Sequence, residues 1–113
     1  MVVDISDAEV DRLFHALADA TRRDILARVL VMEVSVSALA RNYSMSVTAV
    51  QKHVAVLEEA GLVAKRREGR EQRVTGQLEA VAKAKALLDE FELIWRGRME
   101  RMGELLAADK DGA

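Results

Sequence analysis

The 113-residue chain contains no cysteine and no proline. Without cysteine there is no disulfide, no thiol redox chemistry and no thiolate to hold a soft metal. Average proline usage of roughly 5% would give about six, so nothing here forces a kink and helix ends must be set by Gly, Ser and Asp. No apolar run approaches the roughly 20 residues needed to cross a bilayer, so no membrane partner is expected. Asp4 and Asp7 stand near the start in place of basic residues, with no apolar signal core, which predicts a cytoplasmic location. Catalytic arrangements are missing as well. There is no Cys nucleophile and no phosphate-cradling glycine loop, and the two His, His15 and His53, lie far apart in sequence. No enzyme and no cofactor are expected.

Half of the residues are hydrophobic and 32% are charged, the composition of one helix-rich globular domain spanning 1–113. A net charge of −2 argues against nucleic acid only if it is read globally. Residues 1–40 hold four Arg against seven acids, and residues 76–113 hold six Lys/Arg against eight. Residues 41–75 reverse the sign, with seven Lys/Arg against four acids. Screening over about 8–10 Å hides distant acids, so affinity for a polyanion rests on this local patch. The competing reading of the patch is a solvated charged surface.

Ser6-Asp7-Ala8-Glu9 has capping-box spacing, and Val10, Leu13, Phe14 and Leu17 then repeat at helical intervals, predicting a first helix over about 7–18. Asp19 can cap a second helix ending near Met32, with Ile25, Leu26 and Val29 inward and Arg22, Arg23 and Arg28 outward. Glu33 to Val36 is short and β-branched, hence extended. Ser37 can cap a short third helix to about Asn42. After the turn Asn42-Tyr43-Ser44, a fourth helix runs over about 46–60. Ser46 is its candidate N-cap and Gly61 its left-handed stop. Val50, Val54 and Leu57 line one face of this helix, while Thr48, Gln51, Lys52 and Ala55 fall on the other. A short helix held by one stripe, with small polar groups and one lysine on its free face, suits a DNA major groove. Two helices joined by a tight turn form a helix-turn-helix unit.

Leu62–Arg67 and Glu71–Thr75 read as strands around Glu68-Gly69-Arg70, a hairpin signal within about 62–75. A last helix is predicted over about 78–106. Its stripe of Val81, Ala84, Leu88, Phe91, Trp95, Met102 and Leu105 advances by threes and fours apart from one seven-residue step, widened by Leu87 and Ile94. At 1.5 Å per residue such a helix spans about 40 Å, more than the small domain before it can cover. The simplest partner for the stripe is a second copy of the chain. Residues 109–113 are expected to fray.

Two segments resemble the ArsR/SmtB family of bacterial winged-helix repressors. Leu17-Ala18-Asp19-Ala20-Thr21-Arg22-Arg23-Asp24-Ile25-Leu26 is similar to the family's LADPTRRxIL. Ser46 to Val63, SVTAVQKHVAVLEEAGLV, is similar to SxPTVSxHLKxLxxAGLV. The resemblance covers residues 10–75 well, and Ala20 and Thr48 replace two usual prolines. It implies a mainly α winged helix-turn-helix fold with a small β-hairpin, and a homodimer built on the first and last helices. Leu13, Leu17, Leu88, Phe91, Trp95 and Met102 would form the dimer interface. It also implies a repressor of double-stranded DNA promoters that reads a pseudo-palindromic operator. Many relatives are released by metal ions through ELCVCDL; here the stretch reads Glu33-Val34-Ser35-Val36-Ser37-Ala38-Leu39. Serine hydroxyls are poor ligands for soft metals, and the last helix has no His for the other common site, so no metal site of the known kinds is expected. The effector stays open.

Thr48, Gln51 and Lys52 are the candidate base contacts: Gln can bond adenine bidentately, and Lys can reach guanine O6 and N7. An ordinary solvated face is the alternative. Ser44 and Ser46 either touch phosphate or only cap. Arg66, Arg67, Arg70 and Arg73 on the wing are candidate phosphate or minor-groove contacts, or else a polar edge that prevents strand pairing. Arg22 and Arg23 either contact phosphate or bind within the fold. His53 is read as structural, and Trp95 and Phe91 as dimer core rather than an effector pocket. A second class of function remains open, a winged-helix protein-interaction module that does not bind DNA; the basic wing and Lys52 count against it.

Overall fold

The computed structural model describes residues 6–111. Its elements follow in the order α1 (Asp7–Leu17), α2 (Ala20–Val31), β1 (Val34–Ser35), α3 (Val36–Arg41), α4 (Val47–Glu59), β2 (Val63–Glu68), β3 (Glu71–Gly76) and α5 (Leu78–Asp111). The hydroxyl of Ser6 accepts from the Glu9 N–H at 3.2 Å, and the Asp19 carboxylate accepts from the Arg22 N–H at 3.0 Å. Each thus satisfies one of the orphan donors that open a helix.

Three expectations need correction at the element ends. Ser35, not Ser37, caps α3: its Oγ accepts from the Ala38 N–H at 3.2 Å, and α3 starts one residue later at Val36. The extended stretch before α3 is also more than a connector. β1 pairs antiparallel with β3 through Val34↔Val74 and Ser35↔Arg73, so the expected hairpin is part of a three-stranded sheet of order β1-β3-β2. The last helix runs to Asp111, beyond the predicted end at 106. Of the segment 109–113 expected to fray, residues 112–113 lie outside the described residues.

Helix α4 ends as its sequence predicts. The Gly61 N–H donates to the Glu58 carbonyl at 2.9 Å, and the Leu62 N–H donates to the Leu57 carbonyl at 3.0 Å. Gly61 itself has φ +75°. This is the two-bond Schellman arrangement, which turns the chain directly into β2. At the end of β3, the central strand of the sheet, a Cβ on Gly76 would lie 2.7 Å from Leu30 Cδ2 and 3.0 Å from Leu30 Cα. Only a glycine lets α2 approach β3 this closely.

The core lies where α1, α2, α3 and α4 meet the inner face of the sheet. Ile25, Leu39, Val50, Val54, Leu57, Leu62 and Val74 are fully buried, and Ala80 and Ala84 bring the first turns of α5 against them. Beyond those turns α5 leaves the core. Its 34 residues span about 51 Å at the α-helical rise. The chain accordingly extends 76 Å along its longest axis, with a radius of gyration of 20.5 Å where a compact chain of this length would have about 13 Å.

Leu57 is fully buried on the inner face of α4. Leu57→Ala is expected to cost about 2–5 kcal/mol in a denaturant titration, whereas Ser46→Ala, which removes only the α4 cap, should cost about 1 kcal/mol.

Candidate nucleic-acid interface

The free face of α4 is built by its own inner stripe. Val50, Val54 and Leu57 anchor the helix, which leaves Thr48, Gln51 and Lys52 exposed along the opposite side, near the N-terminus. Ser46 Oγ accepts from the Ala49 N–H at 3.1 Å, so its hydroxyl is engaged in capping. Ser44 is exposed in the turn. That turn is fastened from behind: the Tyr43 hydroxyl donates to Asp24 on α2, and the Arg28 guanidinium sits 5.7 Å from the Tyr43 ring centroid. The tyrosine was not among the sequence candidates, although an aromatic inside a helix-turn-helix turn needs something to pack on.

Arg22 points inward, against the expectation of an outward side chain, and its side chain is only 12% exposed. Its Nε donates to the Ala16 carbonyl at 2.8 Å and its Nη2 to the His15 carbonyl at 2.9 Å. Arg23 Nη1 donates to the Leu17 carbonyl at 2.7 Å. The two arginines thus satisfy the carbonyls that end α1. Arg22 Nη1 also lies 3.4 Å from Nδ1 of His53 on α4, where the neutral ring can accept. The alternative of binding within the fold therefore describes Arg22 and Arg23, and His53 is a hydrogen-bonded structural residue. A sequence signal existed. Two arginines in the first turn of a helix oppose its dipole, so they belong to the negative end of the helix before it.

On the wing, Gly69 takes φ +62° at the first position of a two-residue turn, consistent with a type II′ hairpin. Strand alternation then sorts the cations by face. Val63 and Val74 point to the core, so Lys65 and Arg67 share their side, the side of α4; Arg66 and Arg73, paired across the strands, lie on the other. Arg66 Nη2 donates to Glu33 Oε1 at 2.8 Å, and Arg73 Nε lies 3.5 Å from the same oxygen. Glu68 and Glu71 complete this outer network, at 3.4 Å from Arg66 and 3.2 Å from Arg73 respectively. Lys65 Nζ reaches Glu58 of α4 at 3.3 Å. Arg67 and Arg70 have no carboxylate partner among the described residues. The four wing arginines thus differ, and counting positive charges did not reveal it; the period-two offset from Val63 and Val74 would have.

The expected dimer residues also divide. Leu13 is 2% exposed and belongs to the chain's own core, and Leu17 is half-buried against it. Leu88, Phe91, Trp95 and Met102 are open to solvent at 53%, 57%, 54% and 48%, and Phe14 on α1 is exposed beside them in type. The stretch that holds thiolates in metal-responsive members does not fit a soft metal here. Ser35 is buried with its hydroxyl engaged as a cap, and Ser37 is exposed. Among the described residues, no three His, Cys, Asp or Glu side chains are placed to hold a metal ion. No described helix is long and apolar enough to cross a membrane.

Helices α3 and α4, the turn between them and the hairpin packed behind α4 define a winged helix-turn-helix domain. The chain belongs to the ArsR family of helix-turn-helix transcriptional regulators. It is 35% identical over 101 residues to the HTH-type transcriptional regulator Rv2034 of Mycobacterium tuberculosis, covering 89% of this chain and 92% of that protein. An ArsR-like transcriptional regulator from Rhodococcus sp. RHA1 matches with a TM-score of 0.76 at 31% identity, over 87% of this chain and 92% of that one. A Mycobacterium bovis fragment, described as the homodimeric winged helix-turn-helix DNA-binding domain of a possible ArsR-family regulator, matches with a TM-score of 0.62 at 31% identity, over 80% and 90%. No family model matches the chain. These relatives are regulators, not enzymes.

Two carboxyls that brace this interface titrate below their ordinary range. Asp19 is lowered chiefly by the N–H of Arg22, and Asp24 chiefly by the Tyr43 hydroxyl and then by Arg28. A carboxyl lowered on folding adds stability above its unfolded pKa, and that stability is lost as pH falls through the folded value. Thermal stability should therefore decline on acidification below about pH 5. Asp19→Asn keeps a capping oxygen but does not titrate, so its melting temperature should fall less steeply over the same range.

Proposed function

We propose that the chain is a homodimeric repressor that binds a pseudo-palindromic operator, with α4 of each protomer in successive major grooves. One observation carries the reading: Thr48, Gln51 and Lys52 stand exposed together near the N-terminus of α4, and the wing that follows this helix carries exposed Arg67 and Arg70 with no carboxylate partner among the described residues. Gln51 and Lys52 supply discrimination through base edges, while wing cations supply affinity without much sequence information. Glu58 and Glu59 do not oppose this, because they lie at the C-terminal end of α4 and reading falls to its N-terminal residues.

The dimer is supported by the row of exposed apolar residues along α5, far more than an isolated soluble helix carries, and by the homodimeric relative. Its contacts would involve Leu88, Phe91, Trp95 and Met102 of α5, with Leu17 and Phe14 from α1. Repression would follow from occluding a promoter, in the cytoplasm. No catalytic role is assigned.

Footprinting should reveal a symmetric site with half-sites about 10–10.5 bp apart; absence of any protected symmetric sequence at low salt would sink the proposal. Lys52→Ala should relax preference at particular base pairs. Arg70→Ala should weaken binding to all sequences and lower the salt slope by about one. Phe91→Glu/Trp95→Glu should shift the protein to monomer in sedimentation and weaken operator binding together; a variant that stays dimeric would remove α5 from the interface.

A further inference from the structure

The outer face of the wing poses an electrostatic problem. Pairing in the hairpin sets Arg66 directly opposite Arg73 and Glu68 directly opposite Glu71. Like charges facing each other across strands are destabilising. The contacts Arg66–Glu68 at 3.4 Å along β2 and Arg73–Glu68 at 3.5 Å diagonally across the strands relieve part of this, but they stay within the hairpin and cannot fix it to the domain. Glu33 does both. It sits at the junction of α2 and β1, and a single oxygen lies 2.8 Å from Arg66 and 3.5 Å from Arg73. On the inner face, Lys65 bonds to Glu58 at 3.3 Å, and Glu58 belongs to α4. The hairpin, whose base already pairs with β1, is therefore also tied by side chains from both faces, on one to Glu33 of the domain body and on the other to the helix that carries the candidate base contacts.

We propose that Glu33 and Glu58 are positioning residues that hold the wing at a fixed pitch to α4, and that they withdraw Arg66, Arg73 and Lys65 from phosphate contact. Arg67 and Arg70 are then the wing's DNA-contacting charges. A single exposed ion pair is worth little, but a shared carboxylate bridging two opposed arginines to a separate element acts as a network. Rigidity of this kind lowers the ordering cost of binding. The inference rests on the DNA-binding reading above.

The test turns on a sign. Glu33 and Glu58 are anions beside a polyanion's binding surface, so simple electrostatics has their removal tighten DNA binding. Positioning has the opposite consequence. With circular dichroism melts showing a folded protein, Glu33→Gln should bind operator about fivefold more weakly, and Glu58→Gln should move the same way. Arg66→Gln and Arg73→Gln should leave the slope of log affinity against log salt unchanged, while Arg67→Gln and Arg70→Gln should each lower it by about 0.9. Glu33→Gln/Arg66→Gln should be no weaker than the worse single variant, because both break one link. Tighter or unchanged binding by Glu33→Gln, or a slope reduced by about one in Arg66→Gln, would overturn the proposal. Amide hydrogen exchange of residues 64–75 reads the tether without DNA. Faster exchange in Glu33→Gln supports it even if the wild-type protein binds no duplex, an outcome that would defeat the DNA reading alone; unchanged exchange refutes the tether.

Discussion

When α1 stops at Leu17, its last carbonyls lose their intrahelical donors just where the helix dipole is negative. The chain meets them with two adjacent arginines from the first turn of α2, and the orientation of the whole domain follows from that contact. Arg22 covers the carbonyls of His15 and Ala16, Arg23 covers that of Leu17, and the inner guanidinium nitrogen of Arg22 continues to His53 on α4. Asp19 caps α2 through the N–H of the same Arg22. One residue is therefore bonded at once to the end of α1 and the middle of α4 through its side chain and to the cap of α2 through its backbone N–H. A shift of the α1–α2 corner would reach the exposed edge of α4 with no flexible segment between. Tyr43 repeats the pattern one layer further out, tying the turn before α4 to Asp24 and Arg28 on α2.

The wing shows how a chain of net charge −2 can still present a positive surface. Its cations divide into those balanced by carboxylates, Arg66 and Arg73 by Glu33, Glu68 and Glu71 on the outer face and Lys65 by Glu58 on the inner, and a pair, Arg67 on the inner face and Arg70 in the turn, with no such balance among the described residues. In the proposed DNA complex, so few uncompensated charges would keep affinity for arbitrary DNA modest. Selection between sequences would then fall on the short row of Thr48, Gln51 and Lys52, as the proposed function has it. Such an arrangement would favour discrimination over raw affinity, which suits a regulator that must ignore most of a genome.

Much of this was legible in sequence because it is local. The stripe of Val50, Val54 and Leu57 and the glycine after Ala60 define α4 without reference to the rest of the chain, and all three apolar residues are buried as their spacing requires. What sequence missed depends on a partner distant along the chain. Ser35 and Ser37 are equally good caps taken alone; pairing of Val34 with Val74 draws the chain into a strand up to Ser35, so the helix must begin directly after it. Arg22 looked solvent-facing by helical spacing, because that spacing knows nothing of the carbonyls of α1. Glu33 carried no signal at all, since its significance lies in two arginines more than thirty residues away.

The length of α5 bears on how the protein folds as well as how it assembles. Ala80 and Ala84 dock the helix on the core, but from Leu88 onward its large apolar side chains face solvent in a single chain. Helices draw most of their stability from packing of an apolar face rather than from intrinsic propensity, and Gly97 and Gly103 within this stretch each lower that propensity by about 1 kcal/mol relative to alanine. The ion pairs along it, such as Lys85–Asp89 and Arg96–Glu92, are exposed and add only a few tenths of that. A free-standing distal half of α5 is thus poorly supported, whereas Leu88, Phe91, Trp95, Met102 and Leu105, spaced by threes and fours with one seven-residue step over Arg98, form a seam that a second helix could fill. In the proposed dimer, ordering of distal α5 and association would be one event. The stability of the protein would then depend on its concentration, and so would the spacing between its two DNA-facing helices.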